Sequence, residues 1–363
     1  MRAVIIAVAI CLGFGAASAQ TLETSAGKVT VTKMIGGLDT PWALEFLPGG
    51  GYVFTEREGS LFLVKEGKAT KIKGTPSVVA TGQGGLLDVM IPRDFAQTRE
   101  IFLSYSKNVS GGVGAAVAVG ILSADNTALT NVREIFQMNK GSGGGRHFGS
   151  RIVEARDGSL FVTLGERGDR PAAQDLSRHH GSVIRIQRDG SVPRDNPYVG
   201  NANVLPEIYS YGHRNPQGAS LDAAGALWVA EHGAQGGDEV NRIKKGANFG
   251  WPVISYGRHY SGAKIGEGSA REGMEQPEHY WDPSIAPSGL MIYSGKLWPE
   301  WKGNLFVGSL KFDYISRLSG GDVGEVEQIK GEQTERVRDI VEGPDGAIWF
   351  ISEGQGAIYR ITP

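Results

Sequence analysis

The loop at residues 211–218 carries side chains suited to holding an anion. Its sequence, Tyr-Gly-His-Arg-Asn-Pro-Gln-Gly, places the guanidinium of Arg214 beside the amide of Asn215 and the turn-forming Pro216. Apolar, strand-like runs flank the loop, so a rigid framework would present these polar groups at its rim. The pattern predicts a binding site for a negatively charged ligand.

Three further cations and a histidine, all distant in sequence, would complete such a site. The cations are Lys311, Arg336 and Arg338, and the histidine is His147 in the glycine-rich segment 141–149. Several cations can pair with the carboxylates of one ligand, and an imidazole with a pKa near neutrality can accept a hydroxyl proton. If the fold brings these residues together, the site suits a small polycarboxylate bound beside a reacting hydroxyl group. Taken singly, each is explained better as a surface residue without a role in the site.

The segment at residues 231–241 offers oxygen ligands for a hard cation. It contains carboxylates and an amide, and its glycines leave backbone carbonyls accessible. Such ligands favour Ca²⁺ over a transition metal. The segment lacks the Asp-x-Asp-x-Asp start of an EF-hand loop, and an acidic surface turn explains its composition equally well.

Other patterns disfavour several functional classes. The histidines lack zinc-ligand spacing, and the chain contains no Gly-x-Ser-x-Gly elbow, Walker loop or dinucleotide-binding glycine motif. The 37 Lys and Arg nearly balance the 39 Asp and Glu, so the composition gives no support for nucleic-acid binding or a polybasic membrane contact.

A recurring phrase indicates the elements that position these residues. An apolar stretch, a Gly- and Asp-rich turn and a strand with aromatic or β-branched residues recur at roughly blade-length spacing. The six copies lie at residues 42–54, 86–105, 151–162, 219–230, 291–307 and 338–350. The repeats predict an all-β fold, a six-bladed β-propeller of four-stranded antiparallel sheets. The chain shows no helical periodicity for a TIM barrel, and a pair of β-sandwiches is the alternative.

The ends and loops of the repeat refine this prediction. The alternating segment 28–33 can complete the blade formed by residues 357–361 and so hide both sheet edges. Long glycine-rich loops should gather at one mouth of the central channel, where we expect the site. Tryptophans within the phrases are expected in blade cores, whereas Trp281 lies outside them and suits either a core position or a platform for a ring-shaped ligand.

The N-terminus predicts a signal peptide, residues 1–19. Arg2 is followed by an apolar run and by the small residues at positions 17–19. The run is shorter than the roughly 20 residues of a spanning helix, which disfavours an uncleaved anchor. Ile10 before Cys11 disfavours a lipoprotein. Cys11 is the only cysteine, so residues 20–363 are expected to form a single propeller domain without disulfides, in the periplasm or secreted and without membrane insertion.

Six segments, in this order, make the chain resemble the soluble quinoprotein aldose dehydrogenases of the glucose/sorbosone type. The segments are residues 82–87, 212–218, 248–252, 286–288, 309–311 and 336–339. The resemblance covers almost all of the mature chain, and residues 212–218 are its most specific part. It implies a six-bladed propeller that uses pyrroloquinoline quinone (PQQ) and Ca²⁺ to oxidise aldoses at C1 to lactones, with electrons passing to an unidentified acceptor.

The resemblance also implies a role for each matching position. His147 takes the proton of the C1 hydroxyl while hydride passes to the quinone, and Arg214 lies near the oxygen that gains charge. The implied cofactor contacts are Gln83, Arg214, Asn215, Lys311, Arg336, Arg338 and Trp281. The implied Ca²⁺ contacts are the carbonyls of Gly233 and Ala234, with Glu239 and the carbonyl of Phe249 at a second, structural ion.

Three departures from the family pattern bear on substrate choice and assembly. Arg146 replaces the acidic residue that precedes the catalytic histidine, Arg167 replaces a glutamine, and the segment 256–281 is short where the glucose enzyme has a dimerisation insertion. We therefore expect a monomer or a weak dimer. A Ca²⁺-dependent lactonase and a non-catalytic sugar- or protein-binding propeller are the alternative functions.

Overall fold

Residues 19–363 of the computed structural model form six antiparallel sheets. Five sheets have four strands each and the sixth has five, with the first strands of neighbouring sheets in contact all round the ring. The predicted six-bladed β-propeller is thereby confirmed. The predicted signal peptide, apart from Ala19, lies outside the described residues, and so does Cys11. The described part of the chain contains no helix with the length and hydropathy of a membrane span.

The regular elements follow one another in chain order as an almost unbroken series of strands. They are β1 (Ala19–Thr24), β2 (Gly27–Gly36), β3 (Pro41–Phe46), β4 (Tyr52–Glu56), β5 (Ser60–Lys65), β6 (Lys68–Ile72), β7 (Leu86–Met90), α1 (Phe95–Thr98), β8 (Glu100–Val109), β9 (Gly112–Leu122), β10 (Leu129–Gln137), β11 (Gly149–Glu154), β12 (Leu160–Leu164), β13 (Ser182–Ile186), β14 (Ile208–Tyr211), β15 (Pro216–Leu221), β16 (Leu227–Glu231), β17 (Asp238–Arg242), β18 (His279–Trp281), β19 (Pro287–Ile292), β20 (Leu305–Ser309), β21 (Ile315–Leu318), β22 (Glu325–Ile329), β23 (Val337–Glu342), β24 (Ile348–Ser352) and β25 (Ala357–Thr362), with short 3₁₀ turns at Arg170–Gln174, Pro299–Trp301 and Glu332–Thr334.

Each copy of the sequence phrase forms the first two strands of a blade. In the third blade, residues 151–162 give β11, a turn and β12, and Ile152 pairs with Val162. Gly158 in that turn has φ +85°, a conformation that favours glycine. The first strands line the channel and bury both faces, as in β7, where all five residues are buried. Apolar side chains on both faces are what neighbouring blades need to pack against one another.

The ring closes between the two ends of the chain, as predicted. Strand β2 pairs with β25, with Thr30 opposite Thr362 and Val31 opposite Ile361. The prediction missed β1, which pairs with β2 along its whole length and becomes the fifth strand of the sixth blade. Because β1 covers β2, the exposed edge of this sheet belongs to β1.

A buried ion network connects the first strands inside the ring of blades. The Arg151 guanidinium lies 2.6 Å from an Asp88 oxygen and 3.0 Å from an Asp339 oxygen, and it stacks 4.7 Å from the ring centroid of Trp42. Its Nε also donates to the carbonyl of Gln217. The network joins the first strands of several blades and supports Trp42 and Gln217, which form the floor of the cavity above it.

Candidate functional site

A cavity of about 570 Å³ opens at one mouth of the channel. We call it the mouth cavity. Its walls come from loops of the first, second, fourth, fifth and sixth blades. They include seven of the residues predicted from the sequence, namely Gln83, Asn215, Gly233, Ala234, Lys311, Arg336 and Arg338. The predicted convergence of distant cations is therefore present in the fold.

One buried carboxylate organises two of the cations. Glu353 Oε1 lies 3.0 Å from Arg336 Nη2, and its Oε2 lies 2.6 Å from Arg338 Nε. Burial raises the pKa of Glu353, but the two arginines outweigh burial and hold it below its usual value. Lys311 is exposed and, within residues 19–363, has no carboxylate within salt-bridge distance. Its charge is therefore free for a ligand.

Arg57 is a further cation at the mouth cavity that the sequence prediction missed. It follows β4, packs against Gly85 and lines the same wall as Gln83. Its closest carboxylate is the exposed Glu58, at 4.0 Å. Arg57 directly follows β4, at the strand end that lies beside Trp42. This position is the sequence feature from which Arg57 could have been predicted to line the cavity.

Arg214 and Asn215 lie in the loop directly before β15, the first strand of the fourth blade. The Arg214 guanidinium is buried 5.3 Å from the ring centroid of Trp251, and Nη1 donates to the carbonyl of His232. Arg214 lines a small cleft beside the mouth cavity rather than the cavity itself. Asn215 Oδ1 accepts from the backbone N–H of Gly149 at 3.2 Å, which links this loop to the histidine loop.

His147 lies against Gln83 at the edge of the mouth cavity. Its backbone N–H donates to Gln83 Oε1 at 2.7 Å, and its Nδ1 lies 2.7 Å from Glu166 Oε1. Burial lowers the pKa of His147, and the bond to Glu166 offsets this only in part. With Nδ1–H directed at the carboxylate, Nε2 is the atom that can accept a proton. The pair is thus a neutral base with an orienting carboxylate.

Glu166 was missed as a functional residue. It is fully buried, and its backbone N–H donates to the carbonyl of Arg214. The acidic residue expected directly before His147 is replaced here by Arg146, and the structure supplies the carboxylate from the next loop instead. The available sequence signal was the position of segment 165–168. It follows the second strand of the third blade, and His147 precedes the first strand of that blade, so the antiparallel pairing of the two strands brings both loops to the same end.

We expect Glu166→Gln to lower the pKa of His147 further, because the carboxylate is the group that raises it. An NMR titration of the His147 ring measures this directly. Glu353→Gln is the matched control, since Glu353 lines the mouth cavity and contacts arginines instead of His147. An unchanged pKa in Glu166→Gln would show that the carboxylate does not act on the base.

His180 lies in the same loop as Glu166, between β12 and β13. Its environment leads us to expect that the protein loses stability in acid. His180 is buried without hydrogen-bond partners for either ring nitrogen, and burial lowers its pKa from 6.5 to about 4. Between these values the unfolded chain binds more protons than the folded one, so the free energy of unfolding falls as the pH falls through this window. Because phenylalanine loses no hydrogen bond here, His180→Phe should remove on the order of 2 kcal/mol of the decrease between pH 7 and 4.5. Urea unfolding at a series of pH values tests this, and equal slopes in both proteins would contradict it.

The predicted Ca²⁺ contacts at Gly233 and Ala234 lie on a fixed loop of the mouth cavity. Asp238 accepts from the backbone N–H of Gly233 at 2.7 Å and of Ala286 at 2.8 Å. The sequence had suggested Asp238 only as part of an acidic cluster, whereas its carboxylate holds the loop. Residues 19–363 contain no group of three acidic, His or Cys side chains arranged for a metal, so an ion here depends on backbone carbonyls.

Glu239 and Phe249 both line the small cleft. Glu231 lines it as well, and burial with the nearby Glu231 charge raises the pKa of Glu239 to about 8. The neighbouring Asn241 has a buried Oδ1 without a hydrogen-bond partner. Asn241 Nδ2 donates to both carboxylates, so its Oδ1 is directed away from them, and the oxygen ligands that the cleft offers a hard cation are the two carboxylates and backbone carbonyls.

Trp281 is not at the mouth cavity, so the structure does not place it as an aromatic platform. It lies on β18, 6% exposed, where it packs between the fourth and fifth blades, and its Nε1 donates to Glu325. The backbone of Trp281 pairs with that of Asp238 in the β17–β18 ladder, and the ring packs against residues of both blades. Besides the buried Trp42, the aromatic side chain that lines the cavity is Tyr260, which is 75% exposed. No repeat or spacing in the sequence singled it out.

Comparison with known proteins agrees with this arrangement. A family model described as Glucose / Sorbosone dehydrogenase matches residues 38–360. The chain is 41% identical over 354 residues, 95% of each protein, to aldose sugar dehydrogenase YliI of Escherichia coli (strain K12). It is similar to the crystal structure of the soluble aldose sugar dehydrogenase from Escherichia coli in the apo-form, with a TM-score of 0.89 and 42% identity over 92% of this chain and 99% of that one. A PQQ-bound aldose sugar dehydrogenase from Streptomyces coelicolor shares the fold, with a TM-score of 0.77 and 24% identity over 92% and 98% of the two chains. The chain therefore belongs to the Glucose / Sorbosone dehydrogenase family.

Proposed function

We propose that this chain oxidises the C1 hydroxyl of aldose sugars to lactones, with PQQ as the hydride acceptor, Ca²⁺ as a Lewis acid and His147 as the base. The observation that carries the proposal is the convergence of Lys311, Arg336 and Arg338 on one cavity whose lining residue Gln83 accepts from the backbone N–H of His147, the partner of Glu166. The names of the Escherichia coli relative and of the PQQ-bound Streptomyces coelicolor structure support it.

The residues of the mouth cavity fit a tricarboxylate. Its volume is about 570 Å³, within the range of roughly 300–1,000 Å³ for small-molecule sites. Lys311 is free to pair with a carboxylate, and Arg336 and Arg338 already hold one in Glu353. Buried polar atoms also lack partners, namely Arg57 Nε, Arg214 Nε and His232 Nε2. A ligand with several acceptors would offset the cost of placing these cations together.

When bound, PQQ supplies the electron sink for the hydride from C1 of the sugar, and Ca²⁺ polarises its carbonyl. His147 does the proton chemistry. Its Nε2 takes the C1-hydroxyl proton, and Glu166 at Nδ1 stabilises the imidazolium that results. Arg214 supplies a fixed positive charge beside the base, and the carbonyls of Gly233 and Ala234 would hold the ion.

A lactonase is disfavoured by the described site. Such an enzyme would need carboxylate and amide side chains gathered on a metal in the central cavity, whereas the mouth cavity is lined by more cations than acids. The mouth cavity instead presents four cations and one carboxylate, in Arg57, Lys311, Arg336, Arg338 and Glu353. We further propose a periplasmic or secreted location, after cleavage of residues 1–19, and a monomer or weak dimer.

Reconstitution tests the proposal. Purified mature protein is loaded with PQQ and Ca²⁺ and assayed by dye reduction with glucose, other aldoses and disaccharides. We expect reduction that depends on both PQQ and an aldose. Absence of cofactor-dependent reduction with every sugar would leave the non-catalytic binding propeller as the better interpretation.

Calcium binding at the small cleft has its own test. We expect millimolar Ca²⁺ to raise the Tm of the cofactor-free protein by several degrees, because an ion that binds only the folded state stabilises it. Glu239→Gln should abolish most of this increase. Glu278→Gln, which removes a carboxylate just before the outer strand of the same blade, should leave it intact. An equal increase in all three proteins would show that Glu239 is not a ligand.

A further inference from the structure

The loop that carries His147 has few side chains with which to hold its own position. Four of the residues at positions 141–145 are glycines, and their side chains cannot pack. His147 itself has φ +56°, which is uncommon for a residue other than glycine. Contacts from outside the loop must therefore maintain the orientation of the imidazole.

Arg167 supplies these contacts from the side opposite Gln83. Its Nη2 donates to the carbonyl of Gly144 at 2.6 Å and to that of Val113 at 3.1 Å. Its backbone carbonyl accepts from Ser142 Oγ at 2.6 Å, and its backbone N–H donates to the carbonyl of His147 at 3.3 Å. Arg167 thus forms hydrogen bonds with the loop at Ser142, Gly144 and His147.

The side chain of Arg167 is in an environment that is unfavourable for a cation. It is 1% exposed, stacks 3.3 Å from the ring centroid of Phe148, and has a buried Nη1 without a hydrogen-bond partner. Within residues 19–363 no carboxylate oxygen lies within 4.0 Å of it, whereas the buried Arg185 of the same blade pairs with both Asp157 and Asp195. Burial of an unpaired guanidinium is costly, so stability alone does not explain an arginine at this position.

We propose that Arg167 is a positioning residue for the base, holding residues 141–149 so that the His147 ring stays aligned between Glu166 and the mouth cavity. The inference rests on the proposed function for its effect on catalysis. Its structural part, the fixing of the loop, stands independently of that function.

The structural part is tested by the chemical reactivity of His147 in the purified mature chain. Diethyl pyrocarbonate modifies accessible neutral imidazoles, and mass spectrometry of peptides gives the rate at each histidine. In Arg167→Met the rate at His147, relative to that at His259, should rise on the order of 10-fold, because the loop opens more often. Arg185→Met, which removes a buried arginine from the same blade without contacting the loop, should leave this ratio unchanged.

The catalytic part is tested with PQQ and Ca²⁺ bound. Arg167→Met should lower kcat on the order of 10- to 100-fold, with KM for the sugar and Kd for PQQ within about twofold of wild type. Arg167→Lys, which keeps the charge and reaches one carbonyl, should recover part of the loss. A purely structural role would lower the Tm without this separation of kcat from KM and Kd.

The outcomes separate this inference from the proposed function. An unchanged ratio of His147 to His259 modification in Arg167→Met overturns the inference whether or not the wild type oxidises aldoses. A raised ratio with full kcat overturns the positioning role. If Arg167→Met does not fold, Arg167→Lys carries the same two measurements. An inactive wild type with a raised ratio would refute the proposed function and leave the loop contact established.

Discussion

Replacing His147 with alanine should lower kcat for aldose oxidation by on the order of 10²-fold or more, while the Kd for PQQ stays within about twofold of wild type. The ring contacts Glu166 through Nδ1 and offers Nε2 as a base. Its removal leaves the cations at the other side of the cavity untouched. The bond from Gln83 to residue 147 also survives, since it uses the backbone N–H. Steady-state dye reduction gives kcat, and fluorescence titration with PQQ gives Kd.

His279→Ala is the matched control for this variant. His279 is half-buried on β18 against Trp281 and does not line the mouth cavity. Its replacement should leave kcat within about twofold of wild type. A retained kcat in His147→Ala, or a loss of PQQ affinity equal to the loss of kcat, would contradict the role assigned to His147.

Lys311→Ala should act on cofactor affinity first. We expect the Kd for PQQ to rise on the order of 10- to 100-fold, since one hydrogen-bonded ion pair with a carboxylate contributes about 1.5–3 kcal/mol. At saturating PQQ, kcat should remain within about threefold of wild type, because Lys311 contacts neither His147 nor Glu166. Arg336 and Arg338 would still hold the cofactor, although both share Glu353.

Lys302→Ala is the control for Lys311→Ala. Lys302 is an exposed lysine of the same blade that precedes β20, at the end of that strand away from the mouth cavity. Its loss changes net charge equally without removing a cavity cation. Equal effects of Lys302→Ala and Lys311→Ala on Kd would mean that overall charge, and not a local contact, governs PQQ binding.

The blade architecture was predictable because each blade begins with the same sequence pattern. An apolar first strand, a turn with Asp and Gly and an apolar second strand can be recognised in sequence, as residues 151–162 show. Strand β1 was missed although it is local: it forms a hairpin with β2 in which Thr24 pairs with Gly27. The prediction assigned residues 1–19 to a signal peptide and took residues 28–33 as the first strand, so the segment between them was not considered as a strand.

Three cations of the mouth cavity were predictable, but Arg57 and the carboxylate partners were not. Lys311, Arg336 and Arg338 stand out as charges at the ends of strand phrases. Glu353 is recognisable as their partner only when the pairing of Val337 with Ser352 is known. Glu166 likewise meets His147 through a loop of the next strand, and its sequence context alone resembles an ordinary turn.

Trp281 was predicted to contact the cofactor but does not line the mouth cavity. A tryptophan outside the repeat phrase suggested a ligand platform, yet β18 is an outer strand whose ring packs between blades. The exposed ring at the cavity, Tyr260, lies in a segment without periodic structure. Which aromatic side chain faces a ligand depends on how long loops fold over the mouth, and strand periodicity carries no information about that.

A crystal structure of the Ca²⁺-loaded protein with PQQ tests the central claim most directly. The account predicts the cofactor in the mouth cavity above Trp42, with its carboxylates at Lys311, Arg336 and Arg338, the ion at the carbonyls of Gly233 and Ala234, and His147 Nε2 facing the sugar side. PQQ bound elsewhere, or in this cavity with its carboxylates turned away from all three cations, would contradict it.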